Sequence, residues 1–347
     1  MESDNKKIQN IEKVLPELRY DLISKNWVVL AADRAKRPEA FKKKGKAVKS
    51  LKSKCPFCNL KKEEVPVLAF SRGKKMDLRK SFKDWTTIVL PNKYPIFTLG
   101  TKLNKRREGD FYETINALGH HEVVVTKDHE KSMATFSVSQ IQEVIDAYQL
   151  RYFDLMSKPF VNHVAIFHNH GTEAGASLSH PHSQIITTPL VDVDLKNAVL
   201  NSRKYYRKHR KCIYCEMNKW ERKVKKRIIF ENKHFIATCP FASKAAFQVI
   251  VSPKEHLPYF EKIKEGEKKS LAEVFKVVLS KLHKGLNDPS YNFYLHTAPC
   301  DGKKYPSYHW HWTFLPKTST WAGFELGSQM EVLIVAPEDA ARYLKEQ

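Results

Sequence analysis

The stretch Ser179-His180-Pro181-His182-Ser183-Gln184 has a counterpart in the second half of the chain, His309-Trp310-His311-Trp312-Thr313, and the pairing of the two decides the fold. Outward from each, the same signals recur in the same order. Before the first lie Cys55-Pro56-Phe57-Cys58, Asn92-Lys93, Val123-Val124-Val125-Thr126-Lys127-Asp128-His129 and Asn162-His163-Val164-Ala165-Ile166-Phe167-His168. Before the second lie Cys212-Ile213-Tyr214-Cys215, Asn232-Lys233, Val249-Ile250-Val251-Ser252-Pro253-Lys254-Glu255-His256 and Asn292-Phe293-Tyr294-Leu295-His296. A matched succession of this kind marks a duplicated structural unit. It predicts two tandem domains, 1–190 and 191–347, joined near the basic stretch after Leu190.

Each copy alternates short β-branched runs with one helical pattern between its third and fourth signals. Trp85-Thr86-Thr87-Ile88-Val89-Leu90 and the run from Val123 have the length and composition of buried strands. Ser137 followed by apolar residues three and four apart through Tyr148 predicts a capped helix. The second copy supplies Lys268 to Lys284, with Leu271, Val274, Phe275, Val278 and Leu279 on one face. Strands, a helix and more strands, twice over, give an α+β chain of two mainly antiparallel sheets with packed helices.

Bulk properties narrow the function. The chain has 347 residues, 42% of them hydrophobic, which is enough for two ordinary cores. No apolar run approaches the roughly 18 residues of a membrane helix, and Met1-Glu2-Ser3-Asp4-Asn5-Lys6-Lys7 lacks a signal-peptide core, so the expectation is a cytoplasmic protein with no membrane partner. Much of the formal charge of +22 sits in short runs, Phe41 to Lys46, Arg203 to Lys211 and Arg222 to Arg227. Such runs usually face water. They would also steer a phosphate-bearing small substrate, and they keep nucleic acid as a minority option.

Two Cys-x-x-Cys pairs favour metal or redox chemistry over a disulfide framework. Cys55, Cys58, His129 and His180 form one candidate zinc set, and Cys212, Cys215, His256 and His309 another, with His311 an equally placed alternative to His309. Two thiolates and two imidazoles suit tetrahedral zinc, two ions per chain. Because the histidines lie far along the chain, each ion would clamp distant strands. Cys239 and Cys300 read as buried structural thiols.

On an extended segment, His180 and His182 share a face, so one can hold metal while the other does chemistry. A neutral imidazole attacks phosphorus only if one nitrogen is unprotonated and aimed, which requires an acceptor for its N–H. The small residues of Gly171 to Ser177 let a ligand approach backbone N–H groups, and Gln184 can donate to a phosphate oxygen as charge builds.

From Arg19-Tyr20-Asp21 and Asp33 to Pro38 through to Trp321-Ala322-Gly323-Phe324-Glu325-Leu326-Gly327, with Gly175-Ala176-Ser177-Leu178 leading into the histidine motif, the chain resembles the galactose-1-phosphate uridylyltransferases. It is similar also to their relatives, the sugar-nucleotide phosphorylases. Both are two-repeat members of the histidine-triad superfamily. The resemblance implies that His182 is the nucleophile and His180 a zinc ligand alongside Cys55, Cys58 and His129. It places Asn169, Gly175, Ser177 and Gln184 on the nucleotide phosphates, Arg34 and Arg37 near the nucleotide, and Gly323, Phe324 and Glu325 on the sugar hydroxyls. It implies ping-pong transfer between a nucleoside diphosphate sugar and a sugar 1-phosphate, in a homodimer.

Departures from the family pattern bear on substrate. Ser183 stands where many uridylyltransferases have Gly, and Ser319-Thr320 where they have Lys-Phe. Ser183 and the second Cys-x-x-Cys resemble the ADP-glucose phosphorylase branch, whereas the Trp-Ala-Gly-Phe-Glu segment is shared with short prokaryotic-type uridylyltransferases. UDP-glucose:hexose-1-phosphate transfer is the favoured expectation, with ADP-glucose phosphorolysis the alternative. A non-catalytic zinc protein that binds nucleic acid is the rival from a different class.

Overall fold

The computed structural model describes residues 15–31, 51–61, 64–79 and 84–347. In chain order the first half gives β1 (Glu17–Tyr20), β2 (Trp27–Leu30), β3 (Leu68–Ser71), β4 (Lys74–Lys75), β5 (Thr87–Pro91), β6 (Lys105–Glu108), β7 (Tyr112–Ile115) and β8 (His121–Thr126). Helix α1 (Val138–Met156) follows, then β9 (His163–His170) and β10 (His182–Thr188). The second half gives α2 (Val193–His209), α3 (Ile213–Val224), β11 (Ile228–Glu231), β12 (Phe235–Thr238), β13 (Val249–Pro253), α4 (Glu265–Leu286), β14 (Tyr291–His296) and β15 (His311–Pro316). Helix α5 (Gly323–Ser328), β16 (Val332–Leu333) and α6 (Pro337–Glu346) close the chain.

One antiparallel sheet runs through both halves in the order β11-β12-β13-β15-β14-β9-β10-β8-β5-β3-β4. Outward from the β9–β14 seam, one direction meets β10, β8, β5 and β3, and the other meets the equivalent β15, β13, β12 and β11. The duplication read from the sequence is therefore a twofold-like relation inside a single sheet. At the seam Asn169 pairs with Asn292 and His168 with Phe293.

Helix α1 begins at its predicted cap, whereas α4 extends beyond the predicted Lys268 to Lys284 at both ends. Ser137 accepts from the Gln140 N–H and Gln140 reaches back to the Ser137 N–H, a reciprocal cap on α1. The helix runs eight residues past Tyr148 because Tyr152 and Leu155 continue its buried stripe. On α4 the stripe Leu271, Val274, Phe275, Val278 and Leu279 is fully buried. Together α1 and α4 cover one face of the sheet, and Tyr148, Tyr152, Phe260, Phe275, Phe293 and Trp312 fill the space between. Phe275 meets Trp312 edge-on at 5.3 Å and 88°, the favoured geometry for aromatic pairs. This core draws on both copies, and the opposite face of β9 and β14 is only partly buried, hence more open.

The basic runs of the second half are partly helical: α2 ends in Arg207, Lys208 and His209, and α3 in Arg222 and Lys223, all exposed, whereas Arg227 is buried and paired with Glu221 and Glu338. No helix among the described residues is long and apolar enough to cross a membrane.

Candidate active site and metal clusters

A short 3-10 turn, Lys52–Lys54, delivers Cys55, whose N–H bonds the Lys52 carbonyl, and Cys58 closes back on Cys55. The turn sets both thiols against His129, just past the end of β8, and His180, just before β10. His180 Nδ1 lies 3.5 Å from each sulfur and 3.1 Å from His129 Nδ1, and Cys58 Sγ lies 3.2 Å from His129 Nδ1. All four donor atoms fall within 4.8 Å of one another. The other nitrogen of His180, Nε2, donates to the Thr126 carbonyl at 2.7 Å. A carbonyl only accepts, so this bond fixes the tautomer and turns the Nδ1 lone pair into the cluster, as metal-ligating histidines require.

The second half repeats the construction. Cys215 Sγ lies 3.5 Å from both His256 Nδ1 and His309 Nδ1. His309 Nε2 donates to the Pro253 carbonyl at 3.0 Å, and Pro253 ends β13 as Thr126 ends β8. His256 follows Pro253, and His129 follows Thr126, by the same three positions. Cys212, Cys215, His256 and His309 again converge within 4.8 Å. Hydrogen bonds from Cys215, and from His256 and His309 against the effect of burial, draw the Cys212 thiol toward thiolate. His311 points elsewhere, stacked on His296 with ring centroids 4.7 Å apart. Each cluster is suited to hold a metal ion: four soft or borderline donors and a held imidazole.

His182 opens β10. Its Nδ1 lies 2.9 Å from the His180 carbonyl, which makes Nδ1 the protonated nitrogen and leaves the Nε2 lone pair for chemistry. Burial lowers its pKa below the usual imidazole value, and the bond to His180 opposes that shift. Phe57, between the two cysteines of the first cluster, sets its ring 5.2 Å from that of His182 and 5.5 Å from that of His180. The turn that carries Cys55 and Cys58 thus also walls His182.

Strand alternation sorts the rest of the motif. Gln184 shares the open face with His182, and its Oε1 lies 2.8 Å from His121 Nε2, which also has Asn92 Nδ2 at 2.9 Å. Ser183 points the other way, into the core, between the Tyr148 hydroxyl at 2.5 Å and His168 Nδ1 at 3.0 Å. Burial holds His168 far below the usual imidazole range, hence neutral, and it stacks on Phe293 at 4.8 Å. Ser183 is therefore a packing residue and does not face the ligand side.

Between β9 and β10 the chain turns through Thr172–Ala174 to Gly175, which has φ +83° and needs glycine's freedom there. Gly171 has φ +79°, and a side chain on it would strike Ser290 Oγ. Asn169 ends beside this turn, its Nδ2 4.0 Å from where a Gly175 Cβ would be, and Ser177 is exposed on the same segment. His182, Gln184 and Asn169 thus share one face where β9 and β10 meet, with Gly175 beside Asn169 and Ser177 on the connecting segment. Gly323, Phe324 and Glu325 lie instead on α5, where Glu325 accepts from the Ala322 N–H of its own turn and Phe324 is half exposed. Arg34 and Arg37 fall outside the described residues.

Three neighbours of the site escaped the sequence reading. Phe57 carried a signal, since it sits inside a Cys-x-x-Cys beside the histidine pair. Asn292 stood in the repeat but was counted as a strand marker. His121 lies in no motif and emerges only from the pairing of β8 with β10.

A duplicated sheet with a cysteine–histidine cluster in each half, and in the first a histidine whose Nδ1 is held by a backbone carbonyl close to a glycine turn, is the arrangement of a nucleotidyltransferase-type enzyme. The chain belongs to the galactose-1-phosphate uridyl transferase family: residues 6–192 match its N-terminal domain and residues 198–330 its C-terminal domain. It is 31% identical over 342 residues to an ADP-glucose phosphorylase of Arabidopsis thaliana, covering 97% of this chain and 94% of the relative. It is 30% identical over 340 residues to a galactose-1-phosphate uridylyltransferase of Thermotoga maritima, covering 95% and 98%. The solved structure of an Arabidopsis thaliana ADP-glucose phosphorylase with bound ADP-glucose superposes with a TM-score of 0.78 at 29% identity, over 96% of this chain and 99% of that one. A solved uridylyltransferase gives 0.72 at 25%, over 96% and 98%.

Proposed function

We propose that the chain is a UDP-glucose:hexose-1-phosphate uridylyltransferase working through a covalent uridylyl-His182 intermediate. The carrying observation is the bond from His182 Nδ1–H to the His180 carbonyl, which aims a lone pair from Nε2 without requiring an external base. In the first step Nε2 bonds to the α-phosphorus and the bond from that phosphorus to the bridging oxygen breaks, releasing sugar 1-phosphate. In the second, a phosphate oxygen of the incoming sugar 1-phosphate attacks the same phosphorus and His182 leaves as neutral imidazole.

Gln184, the Asn169 amide and the backbone at Gly175 and Ser177 supply donors where charge builds on the phosphoryl oxygens. Arg34 and Arg37 are assigned to the nucleotide. Gly323, Phe324 and Glu325 are assigned to the sugar. The exposed apolar residues Trp321, Phe324 and Leu326 support a homodimer built around α5. Residues 1–190 are the catalytic unit and 191–347 its duplicate.

Zinc is the ion proposed for both clusters, Cys55, Cys58, His129 and His180 in the first and Cys212, Cys215, His256 and His309 in the second. Its part is to fix strand ends: His180 as a ligand anchors the carbonyl that holds His182. Six free cysteines, four of them in these clusters, support a reducing, cytoplasmic setting.

The second reading is ADP-glucose phosphorolysis, favoured by the fit to the ADP-glucose-bound relative. Intact-mass measurement after incubation with UDP-glucose, and separately with ADP-glucose, tests both. A gain of one uridylyl group supports the first reading and a gain of one adenylyl group the second. No gain with either, together with unchanged transferase activity in His182→Asn, overturns the mechanism.

A further inference from the structure

Asn292 stands on β14, in the half of the chain that carries no reactive histidine, directly across the seam from Asn169 on β9. Its Nδ2 lies 2.8 Å from Asn169 Oδ1 and 2.8 Å from the main-chain carbonyl of Ala174. The Ala174 carbonyl can only accept, so that contact identifies which end of the Asn292 carboxamide is nitrogen. The same nitrogen then donates to Asn169, which must present its oxygen to the seam. The Asn169 amide is left on the Gly175 side.

We infer that Asn292 is a positioning residue for nucleotidyl transfer: it sets the Asn169 carboxamide with its donor toward the phosphate-binding turn and pins that turn through Ala174. The inference rests on the proposed chemistry at His182. An unheld carboxamide interconverts between two orientations, one of which turns a carbonyl oxygen toward the phosphates and repels them. Held from the seam, Asn169 has one orientation before substrate arrives, and a preorganised donor is worth more than one that must reorient. The arrangement also gives the duplicate half a part in the chemistry: it supplies the group that points a donor of the first half. The corresponding pair farther along β14 has no such use. His296 pairs with His311, two imidazoles stacked where the first half has a carboxamide beside a histidine.

The test uses the full chain and four variants: Asn292→Ala, Asn169→Ala, the double variant and Asn292→Asp. The rate of nucleotidyl-His182 formation is followed by quenched intact mass with UDP-glucose or ADP-glucose, and metal content and melting temperature are recorded for each. Each alanine variant is expected to slow adduct formation by about tenfold or more. The double variant is expected to be no more than about twofold slower than the slower single one, because Asn292 acts through Asn169. Asn292→Asp, similar in size but unable to donate, is expected to be slower than Asn292→Ala, since its carboxylate draws the Asn169 amide toward the seam and turns the oxygen outward. Multiplicative effects in the double variant, or a normal rate in Asn292→Ala, overturn the inference while leaving the His182 chemistry intact. If Asn292→Ala fails to fold, a normal rate in Asn292→Asp overturns it. If the wild-type chain forms no adduct, the proposed function falls and this inference falls with it.

Discussion

His182 and His180 are joined by a bond that runs backward along one strand: the imidazole Nδ1 of His182 lies 2.9 Å from the main-chain carbonyl of His180. The side chain of His180 meanwhile faces the first cluster. A residue of the cysteine–histidine cluster and the proposed nucleophile, two apart, thus share one piece of backbone. Holding the first orients the second.

Replacing His182 by Asn separates these roles. Nucleotidyl adduct formation is expected to fall by at least about a thousandfold, as for loss of a nucleophile, while metal content and melting temperature stay near wild type. Intact mass, elemental analysis and a melting curve read the three quantities. Loss of metal along with activity would show that His182 belongs to the cluster after all.

Substitution at His180 should show the converse dependence. His180→Ala removes a ligand and frees the strand end, so the first ion is lost and the adduct rate falls with it. Cys212→Ser, in the other cluster, is expected to weaken the second ion and lower the melting temperature, with an adduct rate within about threefold of wild type because no reactive group hangs on that strand. Elemental analysis and adduct rates on both variants check this. Equal rate losses in the two would mean that the clusters act through global stability alone.

The order of the repeat was legible in the sequence because each cysteine–histidine cluster needs particular residue types at particular turns, and packing cannot substitute others. The helices α1 and α4 were legible from their apolar stripes. The seam was not: β9 pairs with β14 through residues far apart in the chain, and antiparallel pairing between copies leaves no local pattern. Counting across the repeat also slipped by one. Matched by order, His168 answers to His296, but in the sheet His296 faces His311 while Ser183 faces His168, so the residue answering to His296 is Asn169. Loop lengths differ between the copies, and only hydrogen-bond register restores the count.

Ser183 is a case where the sequence difference was visible and its meaning was not. Its hydroxyl bridges the Tyr148 hydroxyl and His168 beneath the sheet. Ser183→Ala is therefore expected to leave the preference between UDP-glucose and ADP-glucose unchanged and to cost about 1–3 kcal/mol of stability, the penalty for stranding a buried polar partner. Competition assays with both sugar nucleotides and a denaturant melt measure the two effects. A switch in nucleotide preference would return Ser183 to the list of specificity residues.

Acid stability should depend on Asp288, which follows α4 and accepts from His170 Nε2 at 3.0 Å and from His283 Nδ1 at 2.9 Å. Burial pushes its carboxyl up, but the hydrogen bonds and charges of the two histidines outweigh burial and bring it down to about 2, below the 3.8 of a free aspartate. A carboxyl lowered by folding stabilises the native state at pH above its unfolded pKa, and that stability disappears as pH falls through the folded value. The contribution should therefore be complete above about pH 5 and fade between about pH 4 and pH 2. Ions held by the two cysteine–histidine clusters would also be lost in acid, so the informative quantity is the difference between wild type and Asp288→Asn. Because the two histidines act by charge only while protonated, that difference in unfolding free energy is expected to be largest near about pH 5 and to shrink toward zero as pH falls across this window. His170 adjoins Gly171, where the phosphate turn begins, so Asp288→Asn should loosen that turn as well and raise the KM for sugar nucleotide at neutral pH. A difference that stays constant from pH 6 to pH 2 would show that Asp288 acts by packing and not by charge.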